Sequence, residues 1–364
     1  MRARIIVLAV ALLASGFWAG AARAQDLAQM AGQMVVVGFQ GDSAAAASVA
    51  ALREDIAAGT IGGVMYLRPN VASLDAVAEM NRQFREASPD LPPFVTLDQE
   101  GGAVERLTRA VGFSEIPDAA TIARRNSPDA AQAIYADLAA RIAALGFNVN
   151  FGPVADLNLN PDNPVIARYG RSFSADPATV IAYDRAFIAG HQAAHVLTSL
   201  KHFPGHGSST TDSHEGFTDI TDSWQHSELQ PYADLIRSGY DEFVMVGHLY
   251  HADYADGVDG LPSSLTPRWI DGVLRSELGF AGVVISDDLE MGAIRDHYDL
   301  EETVILAVNA GMDVLLFSNT AAYDAGLGRR VRDVLVSQAE ADPAFAQRIA
   351  ESYARIVRLK SRLD

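Results

Sequence analysis

The stretch from Thr198 to His214 reads TSLKHFPGHGSSTTDSH. Thr198 to His202 has the apolar, β-rich character of a short buried strand, and Pro204, Gly205 and Gly207 break that strand into a loop. Lys201 and His202 then stand at a strand end, with His206, Asp212 and His214 in the loop behind it. That is the layout expected at the mouth of an α/β barrel, where the C-terminal ends of the strands build the site.

The same unit recurs in both directions. Strand-like runs fall at Met34–Phe39, Gly63–Leu67, Phe94–Leu97, Val149–Val154, Thr198–His202, Glu242–Val246, Gly282–Ile285 and Met312–Phe317. Helical patterns alternate with them at Ala44–Ala58, Leu74–Ala87, Asp129–Leu145, Ala178–Ala194, Glu228–Ser238, Pro267–Leu278 and Glu301–Ala310, with a final pair at Arg329–Ala339 and Phe345–Leu363. Eight strands, each followed by a helix, predict a single (β/α)8 TIM-type barrel over residues 25–364. Thr266-Pro267 reads as an N-cap followed by proline at the first helical position, and Gly239, Gly279 and Gly311 read as C-terminal stops. The competing architecture, an open doubly wound sheet, usually carries a glycine-rich first turn for a nucleotide. No G-x-G-x-x-G or Walker sequence occurs here.

The first residues follow a different pattern. Arg2 and Arg4 precede the apolar run Ile5 to Leu13, and Ala22-Arg23-Ala24 supplies small residues at the positions a signal peptidase requires. A cleavable signal peptide over residues 1–24 is the expectation, with export to the periplasm or the medium. The apolar run is too short to span a bilayer comfortably, and no Cys follows it to carry a lipid, so no stable membrane insertion is expected.

Composition narrows the chemistry. With no cysteine there is no disulfide, no thiolate metal site and no cysteine nucleophile. The 46 acidic against 28 basic residues give a net charge of −18, which argues against nucleic acid as a partner. The acidic residues are dispersed, as on a solvated surface.

Polar residues placed just after the strands are the candidates for function: Asp98, Asp156, Lys201, His202, His248, Asp287, Asp288, Ser318 and Asn319. Carboxylates and nitrogen groups, without thiols or a phosphate cradle, suit acid/base or nucleophilic work on a polyhydroxylated substrate. Asp212 and His214 are two apart in a loop, so the carboxylate can orient one imidazole nitrogen and leave the other facing a reacting atom. Metal binding by His202, His206, Asp212 and His214 is an alternative, although Pro204-Gly205 prevents the helical i, i+4 presentation of such ligands. A packing role for these histidines is another. Lys201 can also be read as a structural ion-pair partner of Asp98 or Asp156.

The sequence Lys201-His202-Phe203-Pro204-Gly205-His206-Gly207 followed by Asp212-Ser213-His214 resembles the family 3 glycoside hydrolases, in particular their β-N-acetylglucosaminidase branch. Leu97-Asp98-Gln99-Glu100-Gly101-Gly102, Asn150-Phe151-Gly152-Pro153-Val154-Ala155-Asp156 and Val284-Ile285-Ser286-Asp287-Asp288-Leu289 extend the resemblance, in matching order, from about Gln33 to Asn319. The resemblance implies a retaining hydrolase without a cofactor or metal. Asp287 would be the nucleophile, His214 the acid/base and Asp212 its orienting partner, while Asp98, Arg171, Lys201 and His202 would hold the sugar's hydroxyls. Asp288 competes with Asp287 for the exposed position, and Arg168 competes with Arg171. The implied partner is a carbohydrate, an N-acetylglucosamine-containing oligosaccharide or muropeptide, and a monomer is expected.

Two departures stand out. Gly101-Gly102-Ala103-Val104 lacks the arginine that the family carries at Ala103, so one positive side chain near the site is missing. The familiar recycling enzymes are cytoplasmic, whereas this chain opens on an export signal. The related β-glucosidase branch takes its acid/base from a second domain, and the barrel expected over residues 25–364 leaves no room for one, so the hexosaminidase branch is expected. A β-glucosidase-like specificity and a catalytically silent sugar-binding barrel are the alternatives.

Overall fold

The computed structural model describes residues 27–363, so the signal-peptide expectation for residues 1–24 lies outside it. Eight strands form one parallel sheet: β1 Val35–Gly38, β2 Gly63–Met65, β3 Phe94–Leu97, β4 Val149–Asn150, β5 Leu197–Phe203, β6 Phe243–Val246, β7 Val283–Ser286 and β8 Leu315–Phe317. Every strand residue is buried, as a parallel sheet covered by helices requires. β1 pairs with both β2 and β8, with Val36 opposite Gly63 and Val35 opposite Leu315, which rules out the doubly wound alternative. The ring closes between β7 and β8 through the Ile285–Val314 bridge and a 3.0 Å hydrogen bond from the Ser286 N–H to the Val314 carbonyl.

The strands predicted from sequence all form, but their lengths differ for identifiable reasons. β4 stops at Asn150 because Pro153 has no N–H to give to a ladder. The chain still runs beside β5, where the Gly152 and Pro153 carbonyls accept from Ser199 and Lys201. β5 runs one residue past His202, to Phe203, so both polar residues lie inside the strand.

Helix starts follow local chemistry. Asp118, Ser127, Asp176 and Asp299 each accept a backbone N–H three residues on. The first of these starts a short helix, Ala119–Arg125, that the sequence reading did not separate from the loop. At Thr266-Pro267 the structure corrects the expected cap. The helix Arg268–Glu277 has Pro267 at its N-cap position, and the Thr266 hydroxyl turns back to the Pro262 carbonyl at 2.7 Å. Gly239, Gly279 and Gly311 adopt positive φ, as helix stops should.

The last helix, Pro343–Lys360, closes the barrel at the end opposite the site. Its Lys360 ammonium is buried against the Phe94 ring and donates at 2.7 Å to Gln33 Oε1 and the Gly62 carbonyl. Burial pulls it down to about 7.

A second buried group tests the energetics of the shell. Asp184, on the helix Pro177–Gln192, is fully buried, and among the described residues neither of its oxygens has a hydrogen-bond partner. Burial, and then the charge of Asp156, push its pKa well up. Because the folded-state pKa is raised, stability is full below the unfolded value of about 3.9 and falls as pH rises above it. Asp184→Asn removes that loss. It should raise the unfolding free energy at pH 7 by roughly 1–3 kcal/mol, with the gain vanishing near pH 4. Urea titrations at pH 4 and pH 7 check this; a variant destabilised equally at both would refute it.

Candidate active site

The site is built from the ends of β3, β4, β5 and β7. Asp98, Glu100, Arg106, Arg171, Lys201, His202, Asp212, His214 and Asp287 line one cavity of about 330 Å³ at the C-terminal mouth of the barrel. All seven residues expected at the site from sequence therefore meet in one place. A larger depression, about 680 Å³, lies at the opposite end against Pro92, Phe147 and His195, away from the strand ends that carry these groups.

Lys201 is fully buried and bridges two carboxylates, Asp98 Oδ1 and Glu100 Oε1, each at 2.7 Å. It makes no pair with Asp156, so only half of the structural alternative holds. The other oxygen of Asp98 accepts from Arg106 at 2.8 Å, and Glu100 takes Arg171 in a two-pronged pair at 2.9 and 2.8 Å. Burial alone would raise Asp98 and Glu100. The cations Lys201 and Arg106 outweigh it at Asp98, and Arg171 and Lys201 do so at Glu100, leaving both carboxyls below their ordinary range. These alternating charges form a rigid donor and acceptor set suited to sugar hydroxyls.

Arg106 and Glu100 were not singled out from sequence. Gly101, at φ +107°, lets the chain fold back after β3, and an added Cβ there would lie 2.5 Å from the Pro117 carbonyl. The Gly101–Val104 bridge then closes a tight loop. Gln99 pins it, accepting from the Arg106 and Leu107 N–H groups, and Arg106 lands on Asp98. A positive side chain is thus present in the site, and Ala103 is part of the cavity wall. The one available signal was an arginine eight residues after Asp98.

Asp156, after β4, holds the histidine segment. Fully buried, it accepts from His202 Nδ1 at 2.7 Å, from the His202 N–H and, at 2.7 Å, from the His206 N–H. His202 Nε2 then faces Arg171 at 3.3 Å. His206 is buried between Ser209 Oγ at 2.6 Å and Ser213 Oγ at 3.0 Å, and burial with the neighbouring His202 lowers it to about 4, so it is neutral. These partners are separate for each ring. Among the described residues no group of three His, Asp or Glu side chains converges as a metal site would.

The loop carrying Asp212 and His214 is rooted by close contacts. A Cβ at Gly207 would overlap the Leu157 carbonyl, and Glu228 accepts from the Gly207 N–H at 3.1 Å and the Ser208 hydroxyl at 2.7 Å. Asp212 Oδ1 accepts from both the N–H and the Nδ1–H of His214, at 2.9 and 2.7 Å. The imidazole is thereby fixed with Nε2 free, as its spacing predicted. Hydrogen bonds within the dyad hold Asp212 below its ordinary range, against the effect of its burial.

Asp287, one residue past β7, faces the cavity. Burial would raise its pKa, but His202, His248, His214 and the Asp288 N–H at 2.8 Å hold it strongly lowered, so it is ionised. Asp288 turns away, accepting from the Ser318 N–H at 2.8 Å and the Glu290 N–H at 3.1 Å. Of the two acids, Asp287 therefore lies in the site. Behind them His248 joins the Asp288 carbonyl to the Ser264 hydroxyl, at 2.9 and 2.7 Å. Arg171 likewise lies in the cavity, while Arg168 is exposed over the Tyr169 ring. Ser318 and Asn319 do not line the cavity; they organise the loop after β8.

The arrangement offers an ionised carboxylate, a carboxylate-oriented imidazole and a charged hydroxyl-binding wall around one cavity. Known proteins share its sequence and shape. The profile of the Glycosyl hydrolase family 3 N terminal domain matches residues 26–359. Beta-hexosaminidase A of Pseudoalteromonas piscicida is 30% identical over 366 residues, covering 92% of this chain and 61% of that protein. Beta-hexosaminidase of Stenotrophomonas maltophilia (strain R551-3) is 33% identical over 303 residues, covering 81% of this chain and 86% of the relative. The solved glycoside hydrolase family 3 beta-N-acetylglucosaminidase from Paenibacillus sp. str. FPU-7 superposes with a TM-score of 0.82 at 32% identity, over 92% of this chain and 62% of that one. The chain thus spans about three fifths of two of these proteins and most of the third. With a matching profile over nearly its whole length, a matching barrel and the family's acidic and histidine segments at one mouth, the chain belongs to family 3 of the glycoside hydrolases.

Proposed function

We propose that the protein is a retaining β-N-acetylhexosaminidase that removes terminal β-linked N-acetylglucosamine from cell-wall fragments or chitooligosaccharides. The observation that carries this reading is the ionised Asp287 sharing a cavity with the Asp212-oriented His214. The Asp287 carboxylate attacks the anomeric carbon while the His214 imidazolium gives its Nε2 proton to the glycosidic oxygen, so the aglycone leaves neutral and a glycosyl ester forms. The neutral imidazole then takes a proton from water, whose oxygen attacks the same carbon and releases Asp287. Asp212 stabilises the imidazolium, and a histidine avoids placing a second acid beside Asp287. Asp98, Arg171, Lys201 and His202 hold the sugar's hydroxyls. The hexosaminidase names of the relatives support the sugar assignment.

The apolar run and small-residue site near the N-terminus support export, with action on periplasmic or external glycans by a monomer. Among the described residues no helix is long and apolar enough to cross a membrane. Turnover of p-nitrophenyl N-acetyl-β-glucosaminide, with the β-anomer of N-acetylglucosamine formed first by NMR, is the expected result. Preference for the corresponding glucoside would overturn the sugar assignment, and first formation of the α-anomer would overturn retention.

A further inference from the structure

The proposed reaction gives no role to Glu228, although this residue is only 1% exposed and lies at the root of the loop that carries Asp212 and His214. It comes from the short helical turn His226–Leu229, just after that loop. Three donors converge on its carboxyl. Oε2 accepts the Gly207 N–H at 3.1 Å, and Oε1 accepts the Ser208 hydroxyl at 2.7 Å and the Gln225 N–H at 3.3 Å. The side chain thus ties the start of the loop to the segment by which the chain leaves it. Gly205 makes room for it, since an added Cβ there would lie 2.6 Å from the Glu228 Cβ.

A second carboxyl holds the same turn. The His206 N–H goes to Asp156, and the next N–H along the chain, that of Gly207, goes to Glu228. From between these anchors the His206 ring reaches along the loop to Ser209 and to Ser213, the residue before His214. A shift at Gly207 would therefore be passed to His214 through the His206 ring. The two carboxyls differ in their surroundings. The His202 ring holds Asp156 below its ordinary range against the effect of burial. Among the described residues no basic side chain pairs with Glu228, and the titratable groups that interact with its charge are Asp156 and, from the helix Gln230–Arg237, Tyr232. Burial, and then the charge of Asp156, push Glu228 up to about 7 against the Ser208 and Gln225 hydrogen bonds. Every group that reaches it is a donor, so the set fits the carboxylate and not the acid.

We propose that Glu228 is a positioning residue for proton transfer: its carboxylate fixes the root of the loop so that the Asp212-oriented His214 meets the glycosidic oxygen. This rests on the glycosidase reading above. Glu228 acts through Gly207, Ser208 and the His206 ring, without touching the sugar. Protonation takes an acceptor away from the three donors, so the loop is held less firmly as pH falls through about 7.

The test compares kcat/KM for two substrates with the same glycosyl group: N,N′-diacetylchitobiose, whose sugar leaving group needs a proton, and 2,4-dinitrophenyl N-acetyl-β-glucosaminide, whose leaving group does not. In Glu228→Gln the ratio of the first to the second should fall roughly tenfold or more relative to the native protein. Ionisations that affect both substrates alike, that of Asp287 included, cancel in this ratio. In the native protein the ratio should also fall as pH drops through about 7, and in Glu228→Gln that fall should be absent. Ser208→Ala keeps the carboxylate and removes one of its donors, so it should lower the ratio in smaller measure, and it carries the test if Glu228→Gln does not fold. An unchanged ratio in both variants overturns the role, and so does a fall with pH that persists in Glu228→Gln. A native protein that hydrolyses neither substrate would overturn the glycosidase reading itself, and this role with it.

Discussion

Asp287→Asn is expected to lower kcat on aryl N-acetyl-β-glucosaminides by roughly 10⁴-fold or more with little change in KM. The substitution preserves shape. The remaining side-chain oxygen can still accept the Asp288 N–H that reaches Asp287 at 2.8 Å, so the loop after β7 has no reason to move. What is lost is the negative charge that His202, His248 and His214 hold in a buried position. An amide cannot form the glycosyl ester, and it takes away one of the anions that those histidines face. Steady-state kinetics with a circular dichroism check decide the matter: a folded variant keeping a tenth of native activity would remove Asp287 from the nucleophile's role. Asp288→Asn is the control. Its carboxyl binds the Ser318 and Glu290 N–H groups outside the cavity, so its effect should fall on stability more than on kcat.

His214→Ala should cost roughly 10²–10⁴-fold in kcat on alkyl or sugar aglycones, the range that a positioned proton donor contributes. The loss should be far smaller for a 2,4-dinitrophenyl glycoside, whose leaving group departs without a proton. The His214 side chain is 58% exposed and its ring hydrogen-bonds to Asp212, so truncation leaves the barrel intact. Asp212→Asn should fall between native and His214→Ala, because it disturbs the orientation and charge of the imidazole without removing it. A leaving-group series of aryl glycosides separates the possibilities. A loss independent of leaving-group pKa would mean that His214 shapes the pocket and moves no proton in the bond-breaking step.

The expected disposition of the site survived because its motifs sit next to elements that local chemistry defines. Lys201 and His202 follow an apolar run, and Asp98 and Asp287 come directly after others, so strand ends were legible as such. Asp212 and His214 are neighbours in sequence, and their hydrogen bond needs nothing beyond two residues of loop. The misses share the opposite property. Arg106 reaches Asp98 only because Gly101 and Gly102 reverse the chain and Gln99 clamps the return, and the length of such a loop does not announce where it will point. Asp156 was noted at a strand end, but its role as a common acceptor for His202 and His206 depends on a segment 46 to 50 residues away.

The sequence by itself determined the period of the fold, eight short apolar runs separated by amphipathic helices, along with the acids and histidines available at the strand ends. Burial dictates both, since an apolar run must be covered on both faces and the strand termini are where polar groups can reach water. Tertiary structure decided how those groups were paired. Closure of β8 onto β1 and β7 brought Asp287 round to face the loop of β5, and the basic side chains gathered there hold three carboxyls, Asp98, Glu100 and Asp287, below their ordinary range against the effect of burial. Charge interactions in a dry cavity depend on distances between segments far apart in the chain, and those distances exist only once the barrel has closed.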